Sequence, residues 1–346
     1  MMVLDPDSIR TILVIKLRAI GDVLLSTVVL RNLRHAFPRA AIHFLTEPPA
    51  RDIVEGHPAV DRTIVYDLSH QGPLRYLWQI RRTRYDLVFD LFGNPRTALI
   101  TRASGAPHRV GFAFRGRQYA YTTVVRGRGD TVHNTQFNLD ALEALAIPIV
   151  DRSLSVPVKA EDREYVLSFI RTAGLFTEPV VALSTSGGWY TKRWPLERFA
   201  ALADRIAQEL GAFIVLPWGP GQKEDADKVR SLMTRPAFVP PPTTLRQLAA
   251  LLERCAFMVT NDSGPMHIAS AVGTPVLGIY GPTNPALQGP YGEGHVVVRL
   301  EGLDCLGCNL TRCPVAGHPC MNDLDVGAVF EAVRSLAARH PGRLRI

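Results

Sequence analysis

The stretch Thr11-Ile-Leu-Val-Ile-Lys-Leu-Arg-Ala-Ile-Gly-Asp22 decides the fold of this chain. Its first part, Thr11–Leu17, is apolar and β-branched, which is typical of a strand buried on both faces of a parallel sheet. After a short turn, apolar residues recur at helical spacing over Asp22–Phe37, and Pro38 ends that pattern. A buried strand that leads directly into a helix predicts an α/β fold.

The same alternation continues along the chain. Further strands are predicted at 41–46, 62–67, 85–91, 180–184, 212–217, 257–260 and 275–280, and further helices at 195–210, from 223, at 245–254 and at 263–272. Residues 151–178 are interpreted as the connection between two halves. We therefore predict two Rossmann-like domains, residues 1–157 and 158–346, which face each other across a cleft. The last helix is expected to pack back on the N-terminal domain.

Composition places the chain among ordinary globular proteins. Of its 346 residues, 47% are hydrophobic and 21% are charged, which supports hydrophobic cores in two domains. No apolar run approaches the ~20 residues that cross a bilayer. Asp5 and Asp7 stand where a signal peptide would be basic, so we expect a cytoplasmic protein.

The net charge of +7 is concentrated in the first half. Arg102–Arg128 contains six arginines and no acidic residue. Such a segment either binds an anionic partner, such as a membrane surface or a phosphorylated or carboxylated sugar, or is a solvated loop. No nucleic-acid-binding motif is present, so nucleic acid is not an expected partner.

Asp22 follows the first predicted strand, at the sheet edge where parallel folds bind ligands. An aspartate at a helix start either caps the helix or serves function. The functional hypothesis is that its carboxylate accepts a proton from a hydroxyl group.

Two segments of the second half could hold a diphosphate. Thr185-Ser-Gly-Gly188 follows a predicted strand, and Lys192 lies just beyond it; hydroxyls, amides and a cation suit phosphate, although Lys192 could equally be a surface residue. Asn261-Asp-Ser-Gly-Pro-Met-His267 joins a strand to a helix, where first-turn amides attract anions. His267 either donates to a phosphate oxygen or packs in the core.

Other motifs are less specific. Gly219-Pro-Gly221 lacks the third glycine of a dinucleotide fingerprint, and Glu224 beyond it either contacts ribose hydroxyls or merely begins a helix. No complete fingerprint occurs, which argues against an NAD enzyme. None of the three Asp-x-Asp pairs follows a predicted strand, so no catalytic metal is expected.

Four cysteines form the one cluster with metal-ligand character. They are Cys305, Cys308, Cys313 and Cys320, with His318 nearby. Only the first pair has the usual zinc spacing, so structural zinc, a disulfide and reduced thiols remain alternatives.

Three of these segments together resemble a known family. Ile15–Asp22, Lys192–Pro195 and Asp262–His267, followed by Tyr280–Thr283, are similar in sequence and order to the lipopolysaccharide heptosyltransferases, glycosyltransferase family 9. The resemblance implies a GT-B fold whose N-terminal domain binds the acceptor and whose C-terminal domain binds the nucleotide sugar. It also implies inverting transfer from ADP-heptose with no metal and no other cofactor.

Matched by position, the resemblance assigns roles to individual residues. Asp22 is the expected catalytic base, and Lys16 and Arg18 are expected at the acceptor. The expected donor site consists of Thr185, Ser186, Lys192, Glu224, Asp262, Ser263, Gly264 and His267.

The resemblance also implies the partners. These are ADP-heptose, a lipid A–Kdo or heptosylated core acceptor, and peripheral contact with the cytoplasmic face of the inner membrane. The alternatives are a family member that uses another nucleotide sugar, and a non-catalytic nucleotide-binding protein at the membrane surface.

Overall fold

The structure is a computed structural model that describes residues 4–70, 72–129, 131–172, 174 and 179–344. It divides into two units, Met1–Pro157 and Val158–Ile346. Part of the predicted connection, residues 173 and 175–178, lies outside the described residues. No helix within the described ranges is long and apolar enough to span a bilayer.

The first unit alternates strands and helices. Its strands are β1 (Thr11–Ile15), β2 (Ala41–Thr46), β3 (Arg62–Val65), β4 (Leu87–Asp90), β5 (His108–Phe112) and β6 (Thr123–Val125). Its α-helices are α1 (Ile20–Ser26), α2 (Val28–Ala36), α3 (Arg51–Val54), α4 (Pro73–Thr83), α5 (Pro95–Ser104) and α6 (Asn134–Glu143).

The second unit repeats this alternation. Its strands are β7 (Val180–Ser184), β8 (Phe213–Val215), β9 (Ala237–Phe238), β10 (Phe257–Asn261), β11 (Val276–Ile279) and β12 (Val296–Val298). Its α-helices are α7 (Ala160–Thr172), α8 (Leu196–Leu210), α9 (Lys223–Leu232), α10 (Leu245–Glu253), α11 (Gly264–Ala271), α12 (Pro285–Gln288), α13 (Pro319–Asn322) and α14 (Val326–Arg339).

Both sheets are parallel and have the same topology. Strand order is β3-β2-β1-β4-β5-β6 in one and β9-β8-β7-β10-β11-β12 in the other. Each is therefore a doubly wound Rossmann-like sheet. Strand order reverses between β1 and β4 in the first unit and between β7 and β10 in the second, and such switch points are where open α/β sheets bind ligands.

The central strands form the cores of the two sheets. Ile12, Leu13, Val14 and Ile15 of β1 have no exposed surface, because helices cover both faces of a doubly wound sheet. The α/β prediction is thus confirmed, and the apolar run that suggested it is the centre of the first sheet.

One local prediction was wrong. The helix expected over 22–37 is two helices, α1 and α2, separated at Thr27. The Thr27 hydroxyl donates to the Leu24 carbonyl at 2.7 Å, and this local hydrogen bond competes with the helical backbone pattern. The arginine-rich segment 102–128, for which a solvated loop was one of two alternatives, contains β5 and β6.

The last helix, α14, was expected to pack on the N-terminal domain. That contact stays a prediction; the buried residues Val329, Phe330 and Val333 of α14 belong to the hydrophobic core of the second unit. The helix packs beside α8 and the outer strands β11 and β12, since its apolar face completes the cover of that sheet.

Candidate active site

Asp22 lies in the first turn of α1. The helix begins at Ile20, so Asp22 is its third residue, and the preceding residue Ala19 is the N-cap. Its Oδ2 accepts a hydrogen bond from the Ala19 amide at 3.1 Å. The carboxylate therefore does cap the helix, as half of a capping box. The side chain is only partly buried, so the capping contact does not enclose the carboxylate.

Lys16 lies at the switch point of the first sheet and is buried. Its Nζ donates to the carbonyl oxygen of Leu91, at the end of β4, over 2.8 Å. Burial lowers the pKa of Lys16, and the nearby carboxylates of Asp22 and Asp90 oppose that shift. The ammonium group expected at the acceptor is thus held by a backbone carbonyl. Arg18, the other expected acceptor residue, is exposed.

Asp90 is a buried carboxylate that the sequence did not single out. It ends β4 and accepts hydrogen bonds from the amides of Phe92 and Gly93, at 3.1 and 2.8 Å, and from the Tyr121 hydroxyl at 2.8 Å. Burial raises the pKa of Asp90, against these hydrogen bonds. Its position at the end of a predicted strand was the available signal.

A glycine makes room for this contact. A Cβ at Gly111 of β5 would lie 2.3 Å from ring atoms of Tyr121. Only glycine therefore lets the tyrosine ring cross β5 and reach Asp90. This edge of the first sheet thus brings together three titratable side chains: Lys16, Asp22 and Asp90.

Lys192 and Asp262 form a buried ion pair in the second unit. Lys192 Nζ lies 2.6 Å from Asp262 Oδ2, and both side chains are less than a tenth exposed. Lys192 lies on the connection that follows β7, and Asp262 follows β10 directly, so the pair crosses the switch point. The ammonium also lies 4.1 Å from the centre of the Trp189 ring, a cation–π contact.

The start of α11 lies beside this pair. Ser263 is the N-cap and Gly264 the first helical residue. The Ser263 hydroxyl is within 3.1 Å of the Thr260 hydroxyl. His267, one turn into the helix, is buried. First-turn amides and the helix dipole give this end of α11 a positive potential.

Asn261 joins the segments of this site. Its Oδ1 accepts from the Trp194 amide at 3.1 Å, and its Nδ2 donates to the Thr185 carbonyl at 3.0 Å. One amide side chain thereby fixes both ends of the β7–α8 connection against β10. The sequence contained this residue within a motif but gave no sign of its role.

The loop after β8 reaches the same site. The hydroxyl of Ser186 donates to Gln222 Oε1 at 2.6 Å, and the Gly219 amide lies 3.3 Å from the same oxygen. The structure therefore brings the Gly219–Gly221 turn to the predicted donor loop through Gln222, which the sequence did not indicate. Glu224 lies nearby in the first turn of α9 and is exposed.

Two buried polar atoms of the second unit make no hydrogen bond within the described part of the chain. They are the Trp189 indole nitrogen, beside Lys192, and the Thr283 hydroxyl, on the loop after β11. Buried polar groups without partners are costly unless a ligand or water satisfies them. They are therefore candidates for ligand contacts.

Several residues of the arginine-rich segment are engaged within the first unit. Arg109 donates to the carbonyl oxygens of Ala120 and Ala106, and Arg128 pairs with Asp140. These contacts hold β5 and the segment after β6 in place. Arg102, Arg115 and Arg126 are exposed and remain available to a partner.

The cysteine-rich segment supports the turn that carries Lys192. The Thr191 hydroxyl donates to the Leu310 carbonyl at 2.7 Å, and a ring nitrogen of His318 lies 3.0 Å from the Thr191 carbonyl. All five cysteines of the chain are free thiols. Burial, together with the three neighbouring thiols of the segment, raises the pKa of Cys320 to about 11. Within the described ranges, no group of three or more potential ligands could hold a metal ion.

Comparison with known proteins identifies the family. The model of glycosyltransferase family 9 (heptosyltransferase) matches residues 74–317. The chain is 27% identical over 316 residues to lipopolysaccharide heptosyltransferase 1 of Pseudomonas aeruginosa, covering 87% of each protein.

Solved structures agree with this match. The glycosyl transferase family 9 protein from Veillonella parvula superposes with a TM-score of 0.82 at 28% identity, covering 95% of this chain and 97% of that one. The E. coli ADP-heptose lps heptosyltransferase II superposes with a TM-score of 0.76 at 22% identity, covering 96% and 99%. Both confirm the GT-B fold predicted from the sequence.

A family match over most of the chain thus agrees with two Rossmann-like units of one topology. Polar residues gather at the switch point of each unit, as a transferase of two substrates requires. The chain belongs to glycosyltransferase family 9, the heptosyltransferase family, and is a glycosyltransferase.

Proposed function

We propose that this enzyme transfers heptose from ADP-heptose to a Kdo or heptose residue of the lipopolysaccharide inner core, with inversion and without a metal ion. Lipopolysaccharide heptosyltransferases are among the proteins it resembles, and one structural relative is named for ADP-heptose. The observation that carries the proposal is the buried Lys192–Asp262 pair beside the α11 N-terminus.

The second unit has the chemistry of a donor site. An ammonium has three N–H donors. Asp262 takes one donor of Lys192 at 2.6 Å, which leaves the others for phosphate oxygens. The first-turn amides of α11 supply further donors and a positive potential. We assign Thr185, Ser186, Glu224, Ser263, Gly264 and His267 to the same donor site, with Asp262 orienting Lys192.

Asp22 is proposed as the base of the first unit. In the reaction, the acceptor oxygen bonds to the anomeric carbon as the bond from that carbon to the diphosphate breaks. The bonding electrons leave with ADP, and Asp22 takes the proton of the acceptor hydroxyl. One displacement at the carbon inverts its configuration. Charge on the departing diphosphate is balanced by Lys192 and α11, so a metal ion is not required.

Arg18 and the exposed arginines of segment 102–128 are proposed on the acceptor side. Their positive charge suits the carboxylate of Kdo and the phosphates of lipid A. Because that acceptor is a membrane lipid, the enzyme is expected to work in the cytoplasm at the face of the inner membrane.

The test is ADP release from ADP-heptose by the purified enzyme, with and without a heptose-deficient core lipid. Acceptor-dependent release that persists in a metal chelator supports the proposal. ADP binding without acceptor-dependent release would instead indicate a non-catalytic nucleotide-binding protein. Faster release of UDP or GDP from the corresponding nucleotide sugar would rule out ADP-heptose as the preferred donor. Loss of turnover in the chelator would rule out the metal-free mechanism.

A further inference from the structure

Helix α4 carries two large apolar side chains on the outside of the first unit. Leu74 is 78% exposed and Trp78 is 61% exposed. They are four residues apart and therefore share one face of the helix. Tyr76 and Ile80, on the other side, are buried in the hydrophobic core. The helix thus has an apolar stripe in addition to the one that anchors it.

Arginines flank this stripe without acidic partners. Arg75, Arg81 and Arg82 of α4 are exposed, and the guanidinium of Arg82 lies 5.0 Å from the Trp78 ring centre. From Leu68 to Tyr85 the sequence has four arginines and no Asp or Glu. None of the salt bridges formed by described residues involves the three arginines of the helix.

The neighbouring helix α5 extends the same surface. It packs against α4, contains no acidic residue, and exposes 51% of Leu99. We call the surface formed by Leu74, Arg75, Trp78, Arg82 and Leu99 the α4 surface. It combines exposed apolar groups with positive charge that nothing in the helices neutralises.

We propose that the α4 surface binds the anionic headgroup layer of a phospholipid bilayer. Indole rings are favoured at membrane interfaces, and a helix with leucine and tryptophan bordered by arginine lies in that plane. Each arginine near an anionic bilayer strengthens binding about fivefold. A protein partner matched to this surface would need carboxylates and an apolar pocket together, whereas an anionic bilayer offers both kinds of contact everywhere.

This inference rests on the proposed function in one respect, because a core-lipid acceptor lies in such a bilayer. It goes beyond it by assigning the membrane contact to named residues of α4 and α5, none of which belongs to the proposed donor site or is the proposed base. Binding therefore occurs without nucleotide sugar and without acceptor.

The test is flotation of the ligand-free full-length protein with vesicles of phosphatidylcholine, either alone or mixed with phosphatidylglycerol. One variant removes the apolar stripe (Leu74→Ser with Trp78→Ser), and the other removes charge (Arg75→Gln with Arg82→Gln). Matched controls at exposed positions elsewhere are Val150→Ser with Leu232→Ser, and Arg230→Gln with Arg235→Gln.

The wild type should bind the anionic vesicles and bind the neutral ones far less. The charge variant should lose about 30-fold in partitioning, as two arginines at about 1 kcal/mol each predict, and the apolar variant at least about tenfold. Both controls should bind like the wild type. All four variants should keep wild-type turnover on a detergent-dispersed acceptor.

Three outcomes would overturn the inference. The first is that the wild type does not bind anionic vesicles, and the second is that the variants bind them as well as the wild type does. The third is that light scattering detects a dimer that the α4 variants abolish while their binding to vesicles stays unchanged. Absence of transferase activity alongside normal flotation would refute the proposed function and leave the membrane surface standing.

Discussion

The two units share one topology but fill their switch points with different chemistry. In the first unit, buried Lys16 donates to a neutral carbonyl, that of Leu91, at 2.8 Å. In the second unit, buried Lys192 contacts a carboxylate, that of Asp262, at 2.6 Å. In both units a lysine on the connection after the first strand therefore lies at the switch point, directly after β1 for Lys16 and farther along for Lys192. The group that each lysine contacts decides which interactions it can make.

The difference has an energetic consequence. An ion pair in the interior is compensated as long as both partners are present, and removing one leaves a costly charge. Lys16, in contrast, contacts a neutral carbonyl, so its positive charge has no directly paired carboxylate. Only Asp22 and Asp90 stabilise that charge, by longer-range electrostatic attraction. We therefore expect that replacing Lys192 with an apolar residue destabilises the second unit, whereas replacing Lys16 in the same way changes the stability of the first unit little.

The largest effect is expected from removing the proposed catalytic base of the first unit. Asp22→Asn should lower turnover by about 10²–10⁴-fold, because a positioned base contributes that much. Asparagine can still accept from the Ala19 amide, so folding should persist. The measurement is the rate of acceptor-dependent ADP release, with ADP affinity by calorimetry unchanged. Asp52→Asn, in the first turn of α3, is the matched control. Turnover of the Asp22 variant within threefold of the wild type would refute the assignment of Asp22 as the catalytic base.

The next effect concerns the second unit. Lys192→Met should cost about 3–5 kcal/mol of unfolding free energy, because Asp262 is left buried and unpaired. It should also weaken ADP binding by about 10–100-fold. The measurements are urea unfolding and calorimetry.

A second substitution separates the two roles of Lys192. Adding Asp262→Asn should restore much of the stability, since no unpaired charge remains, but not the affinity for ADP. If affinity returns together with stability, the lysine acts only on the fold.

A third prediction concerns pH and belongs to the first unit. His57 is buried against the Ser155 hydroxyl at 2.7 Å, and burial lowers its pKa to about 4. Because the unfolded chain, with a pKa of about 6.5, binds the proton first as pH falls, folding weakens below that value. At pH 5 the loss from this group should be up to about 2 kcal/mol.

Urea unfolding at pH 7 and pH 5 checks this. His57→Gln should show a smaller loss between the two pH values, whereas His35→Gln, at an exposed position on α2, should behave like the wild type. An unchanged loss in the His57 variant would contradict the assignment.

The smallest effect completes the comparison. Lys16→Met should change stability at pH 7 by no more than about 1.5 kcal/mol, since no directly paired carboxylate is left behind. The folded chain holds the Lys16 proton less tightly than the unfolded chain. The wild type should therefore gain stability relative to the variant as pH rises through the lowered pKa toward about 10.4. Urea unfolding of both proteins from pH 7 to 10 tests it, and a constant difference would count against the burial of a charged lysine.

The strand ends explain how far the sequence could indicate the sites. Asp22, Lys192 and Asp262 follow apolar runs in the sequence, so a position at the ligand-binding edge of a sheet could be inferred from order alone. Asp90 and Asn261 also stand at the ends of predicted strands, but that position did not reveal their hydrogen-bond partners, and Gln222 could not be found in this way. Their importance comes from hydrogen bonds to residues that are distant along the chain, such as Tyr121, Thr185 and Ser186.

The arginine-rich segment shows the opposite case. Its charge suggested one positively charged surface for an anionic partner, but tertiary contacts engage Arg109 and Arg128 within the fold. The sequence did not indicate the exposed apolar stripe of α4, because Leu74 and Trp78 alternate with core residues at a spacing that any amphipathic helix shows.

The sequence by itself determined the α/β class, the positions of the central strands and the family resemblance, because strand apolarity and short motifs are local properties of the chain. Only the tertiary structure decided that Lys16 binds a carbonyl whereas Lys192 binds Asp262. Local order sets which residues end a strand, but the partner of a buried charge depends on which distant strand lies beside it, and sequence spacing alone does not contain that information.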